Sequence, residues 1–322
     1  MTGLHDVRVR TSTATLVALT LVLAGCGGGH DEAMRSYAPP SAQPTASPTA
    51  VGVPGSKADV AALTTLAKGI NSGSPSHVCA DLFTTHLVST VFGGLDTCIA
   101  ADDGDTQPTT GASVSKVRVA GDTATAVITD SGGASAGAKG TWHFVRTDGQ
   151  WRLDEWGVDY LRAEYASQFG PNYKPDGADD PFADAGYRAC LNLGMQAKDD
   201  DTFRKLAYGL QSNRNDDTIG AIFQACEKQG PDGKSPFRTA FEDQLRQESQ
   251  QGAMSAAAAQ CVTDQMRQAI SESDLVVALL NGPSSDDYAT FASNVAVISA
   301  ACDKGGKPAG IRPPHLGGHA LH

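Results

Sequence analysis

Few side chains in this 322-residue chain are of types that move protons, attack substrates or hold metals, and those few are scattered. His86, His143, Asp159 and Tyr160 are the chemically capable residues of the first half. His143 lies between Trp142 and Phe144, so strand alternation sends it to the face opposite those rings. A general acid–base pair needs a second group fixed within hydrogen-bond reach, and no spacing supplies one. Ser/His/Asp and Cys/His arrangements are not evident, and no acidic loop of the calcium-binding type is present. His315, His319 and His322 would align on a helix, but Pro313-Pro314 and Gly317-Gly318 oppose one, so these histidines read as incidental. The expectation is no catalytic residue, no metal and no cofactor. Trp142, Phe144 and Trp151 instead suggest an apolar wall able to contact a ligand.

The cysteines carry a different chemistry. There are seven, and Cys26 stands apart, between an apolar run and a glycine tract. Residues 1–25 have a basic start (Arg8, Arg10), an apolar stretch Leu16–Leu23 and small residues Ala24-Gly25, the layout of an export signal. The apolar part is shorter than the about 20 residues that span a bilayer. Cys79, Cys98, Cys190, Cys226, Cys261 and Cys302 remain, an even set that an exported chain uses for disulfides. No C-x-x-C pair favours zinc or redox chemistry.

Leu23-Ala24-Gly25-Cys26 resembles the bacterial lipobox, in which the cysteine is acylated and becomes the first residue of the mature chain. The resemblance implies a palmitate-bearing, membrane-anchored lipoprotein on the extracytoplasmic face, because several acyl chains hold where one does so only reversibly. Residues 26–56 would follow as a disordered tether rich in Pro, Ala, Ser and Thr. A flexible chain of that length spans about 30 Å.

Formal net charge is −11, and removal of Arg8, Arg10 and Asp6 with the signal makes it one unit more negative. That excess disfavours nucleic acid and anionic lipid as partners, since both select Lys/Arg clusters. The partner class left is an unknown ligand or surface protein, with the membrane reached through the lipid alone.

Folding is predicted from Ser56-Lys-Ala-Asp59, a capping-box start, with Val60, Leu63, Ala67 and Ile70 on one helix face. A second helix from Pro75 is expected to carry Cys79 and run on through Phe92. Beyond residue 110 the period becomes two: Val117 and Val119, then Ala124, Ala126 and Ile128, then Trp142 and Phe144, with a turn at Asp148-Gly149 leading to Trp151 and Leu153. That is a four-stranded antiparallel meander behind three short helices. The order resembles the NTF2-like superfamily over about 57–165 and implies a cone with a pocket at its wide end. Some members are isomerases or dehydratases, and no catalytic motif of theirs aligns here.

Residues 166–181 read as an interdomain linker. An all-α domain over 182–306 follows, and it contains an internal repeat. Cys190…Met195…Cys226-Glu-Lys-Gln-Gly230 matches Cys261…Met266…Cys302-Asp-Lys-Gly-Gly306. Each block reads as a three-helix unit over 190–226 and 261–302, joined by a helix bearing Phe237, Phe241 and Leu245. This Cys-bounded pattern resembles exported bacterial proteins of unknown function. The domain boundary and the repeat select Cys79–Cys98, Cys190–Cys226 and Cys261–Cys302. Residues 307–322 are expected to be a disordered tail. The fold class expected is α+β followed by an all-α, disulfide-braced part. The functional expectation is binding or scaffolding, with a cone-pocket enzyme as the alternative.

Overall fold

The computed structural model describes residues 52–101, 111–132, 135–170, 173, 180–230, 233–251 and 254–303. The signal sequence, Cys26, most of the tether and the histidine tail lie outside the described residues. The chain is α+β, with a five-stranded antiparallel sheet in the order β1-β2-β3-β4-β5. The strands are β1 (Val53–Pro54), β2 (Ala112–Ala120), β3 (Thr123–Asp130), β4 (Lys139–Thr147) and β5 (Gln150–Trp156).

The meander has one strand more than its periodicity indicates. Val53 and Pro54 pair with Val119 and Arg118, so the folded part begins before Ser56, inside the expected tether. Two residues are too short for a period-two signal. Helix α1 (Lys57–Ser72) then starts on a complete capping box between Ser56 and Asp59 and buries Leu63, Ala67 and Ile70.

The second predicted helix is broken. A short α2 (Pro75–His77) widens into a π turn at Val78–Leu82, and α3 (Thr85–Leu87) widens again at Val88–Phe92. Phe83 between them is extended (φ −96°, ψ 152°). There Thr84 N–H donates to Leu153 C=O at 2.9 Å and its hydroxyl donates to Asp154 at 2.6 Å. These bonds cover part of the outer edge of β5, an edge that would otherwise present unpaired backbone groups. Helix α4 (Leu95–Ala101) completes the layer, tied to the first π turn by Cys79–Cys98.

Helix α5 (Val158–Gln168) runs through the start of the expected linker. It packs along β4 on one side and against the helical half on the other. Phe169 and Phe182, at either end of that segment, are also buried. The segment is therefore no exposed hinge at its ends, and one apolar core runs through both halves.

The helical half contains α6 (Ala185–Gln196), α7 (Asp200–Ser212), α8 (Asp217–Cys226), α9 (Pro236–Gln250), α10 (Ala256–Ala269), α11 (Glu272–Asn281) and α12 (Asp286–Asp303). Asp199 and Asp216 are N-caps of α7 and α8, where a carboxylate satisfies free N–H groups and faces the positive end of the dipole. On either side of α9 lie two groups of three helices, α6–α8 and α10–α12. Cys190–Cys226 closes the first over 36 residues and Cys261–Cys302 the second over 41. The units meet where α8 lies on α11, with Gly220 against Ser273 and Val277.

Gly140 lets α5 approach β4 at backbone distance, since a Cβ there would overlap N and Cα of Tyr160. Gly140→Ala is expected to destabilise the protein by about 1–3 kcal/mol, the usual cost of overpacking. Chemical denaturation would measure it; an unchanged midpoint would show that α5 yields freely.

Candidate functional site

The aromatic residues expected to form a ligand wall lie inside the core. Trp142 is 0 % exposed and Phe144 1 %. Tyr160 meets the Trp142 ring edge-on at 5.2 Å, so α5 covers the surface that a ligand would need. Trp151, the third member, is buried under Arg146, whose guanidinium lies 4.1 Å from its ring centre. Arg146 also pairs with Asp59 at 2.9 Å. The Trp151 position thus holds the start of α1 to the sheet.

Asp154 is the extra residue of a bulge in β5, because His143 pairs with Glu155 but Phe144 with Leu153. The bulge reverses the alternation. Glu155 then faces outward, and Trp156 turns into the core between Phe83 (5.5 Å) and Tyr208 of α7 (6.0 Å). Simple alternation from Trp151 misses this.

Of the capable residues, His86 is exposed. His143 lies on the face opposite Trp142 and Phe144, with Thr125 and Glu155 as strand partners. Asp159 accepts from Thr141 N–H at 3.0 Å, Thr141 Oγ1 at 2.8 Å and Tyr160 N–H at 2.9 Å. That carboxylate fastens α5 to β4. None of these three forms a pair with another capable group.

Tyr160 does. Its hydroxyl donates to Asp130 Oδ2 at 2.5 Å, and Asn71 Nδ2 at the end of α1 donates to Asp130 Oδ1 at 3.2 Å. Asp130 is 2 % exposed. One turn beyond Tyr160, Glu164 is 0 % exposed, and neither of its carboxyl oxygens has a hydrogen-bond partner. Gln168, another turn on, is buried with its Nε2 unbonded.

The two carboxyls differ in environment. Burial raises Asp130 above the usual carboxylate range, while the bonds from Tyr160 and Asn71 pull it back. Burial pushes Glu164 up to about 8, and the charge of Asp130 adds to the rise. Asp130, with two donors, is the better-stabilised anion; Glu164, with none, is held as the neutral acid at neutral pH. Burial and both carboxyls raise the Tyr160 hydroxyl well above its ordinary value, so it stays a donor. The arrangement is a carboxylate and a neutral carboxylic acid in one apolar interior, coupled through charge.

Neither carboxyl stands out by motif, but each has a positional signal. Asp130 continues the buried Ala124-Ala126-Ile128 series of β3 by one more period. Glu164 occupies the stripe Tyr160-Leu161-Glu164-Tyr165-Gln168, the buried face of α5. Among the described residues no group of three or more His, Cys, Asp or Glu could hold a metal ion.

Tyr160→Phe keeps the ring on Trp142 and removes a donor to Asp130. It is expected to cost about 1–3 kcal/mol at neutral pH, the loss for a buried charged acceptor. The cost should be smaller at acid pH: the folded-state value of Asp130 is raised by burial, so the folded carboxyl takes up its proton as pH falls and then gains less from its donors. Equal losses at both pH values would show that the hydroxyl does not stabilise a carboxylate. Comparison with known proteins finds no matching family model, no matching curated protein and no matching solved structure.

Proposed function

We propose that this protein is an extracytoplasmic lipoprotein, held to the membrane through Cys26, that binds a ligand or surface protein without turnover. The compartment is supported by three disulfides that take up all the cysteines after Cys26, which suit an oxidising environment. No helix among the described residues is long and apolar enough to cross a membrane. An NTF2-like arrangement of the first half belongs to the same reading. It is supported by the helices-then-meander order and by α1 packing across the sheet.

The observation that carries binding over turnover is the filled interior. Trp142, Phe144 and Trp156 are enclosed by Tyr160, Phe83 and Tyr208 of the same chain, which leaves outer surfaces for recognition. A small-molecule acid–base enzyme is the second reading, and Asp130 with Glu164 is what favours it.

In the producing bacterium, Cys26→Ser is expected to leave the protein as unprocessed precursor or release it from the membrane fraction. Unchanged attachment and unchanged mature mobility would overturn the anchor. In-cell cross-linking of the anchored protein should capture the same partner from wild type and from Asp130→Asn. Turnover of a small substrate that Asp130→Asn abolishes would replace binding with the enzymatic reading.

A further inference from the structure

Helix α5 holds the two halves together. On its sheet side it presents Tyr160 and Glu164, both buried, the first bonded to Asp130. On its other side Arg162 donates to the carbonyls of Gln196 (3.1 Å) and Lys198 (2.7 Å) and to Asp200 (3.0 Å), with its guanidinium 4.4 Å from the Phe203 ring centre. Tyr165 meets Phe203 edge-on at 6.1 Å. None of the three disulfides joins the sheet half to the helical half.

We propose that Glu164 is a proton-operated latch: while it carries its proton α5 stays seated between sheet and helices, and its ionisation beside Asp130 loosens α5 and the docking of the helical half.

The surroundings of Glu164 favour that response. Among the described residues the one charge that acts on it is Asp130, of like sign, and Tyr160 is the neighbouring titratable group on its own helix. The cations on packed elements are engaged elsewhere: Arg162 as above, Arg204 of α7 with Glu155 at 3.0 Å, and Arg188 of α6 with the Phe182 and Ala183 carbonyls. Tyr165 and Tyr208 are buried and held protonated, and Lys139 of β4 is exposed. Among the described residues an ionised Glu164 therefore has no cation to meet and no hydrogen bond in place, the unbonded amide of Gln168 one turn on being the neutral donor on its face, and a buried carboxylate so placed is stabilised most by reaching water.

The sign follows from linkage. Glu164 has a folded-state value of about 8 against an ordinary 4.5, so the seated state holds a proton that the open state releases. Seating is strongest below about 4.5, weakens by about tenfold in the opening constant per pH unit above that, and levels off beyond about 8.

Native-state hydrogen exchange on the full chain tests the latch. After correction for intrinsic exchange, opening of the α5 amides is expected to rise about tenfold per pH unit between 5 and 8, while β3 amides stay protected. Glu164→Gln should abolish the pH dependence. The proposal is overturned if α5 opening is independent of pH, if it is unchanged in Glu164→Gln, or if β3 opens together with α5. Infrared spectroscopy of the wild type needs no variant. A band from a buried protonated carboxyl at neutral pH that disappears as pH passes about 8 supports the latch; a spectrum without that band at neutral pH overturns it.

Discussion

The backbone contact between Gly140 and Tyr160 is the constraint on which the arrangement depends. A side chain on residue 140 would collide with the first turn of α5, so the helix rests on the strand itself. Three consequences follow from that distance. Asp159 reaches back to cap Thr141, Tyr160 lies edge-on to Trp142, and the tyrosine hydroxyl arrives at Asp130 on the next strand. A helix packed on side chains would stand farther from the sheet, and the 2.5 Å bond to Asp130 would not form at this geometry.

Seating α5 there also decides how the helical half attaches. The helix presents Arg162 and Tyr165 on its far side, and the carbonyls that end α6 lie within reach of the guanidinium. A cation at a helix C-terminus is favoured by the dipole, and stacking on Phe203 adds a cation–π contact. Rings continue the junction on both sides, as Phe83-Trp156-Tyr208 and as Tyr165-Phe169-Phe182-Phe237. Arg204–Glu155 is more than one-third exposed on the carboxylate side and contributes little beside these contacts.

Much of this was legible where a period ran long enough. The capping box at Ser56, the alternation of β3 and β4 and the Cys-bounded repeat each repeat a residue type at a spacing that one structure explains. Three features escaped for physical reasons. Two residues of β1 cannot show a period. The bulge at Asp154 moves Glu155 out and Trp156 in, which strict alternation inverts. Helix α5 mixes Tyr, Glu and Gln with Leu on its buried face, so it lacks an apolar stripe, and part of its length reads as a polar link. The carboxyl pair was hidden for the same reason: acidic residues are read as solvated unless tertiary contacts enclose them.

That hidden pair bears on why α5 is polar at all. Hydrophobic replacements at Glu164 and Gln168 would remove unpaired buried groups and strengthen the core, as buried charges often do worse than apolar side chains of similar volume. The three bridges supply the stability that such a choice needs, about 3–4 kcal/mol each in the chain-entropy model. They do so by closing loops within α2–α4, α6–α8 and α10–α12. None braces the junction. The covalent frame thus makes each unit rigid while the contact between sheet and helices depends on packing, on Arg162 and on the protonation of a single helix face. A chain built this way keeps its units intact when the junction loosens, and the polarity of α5 places that response at the junction alone.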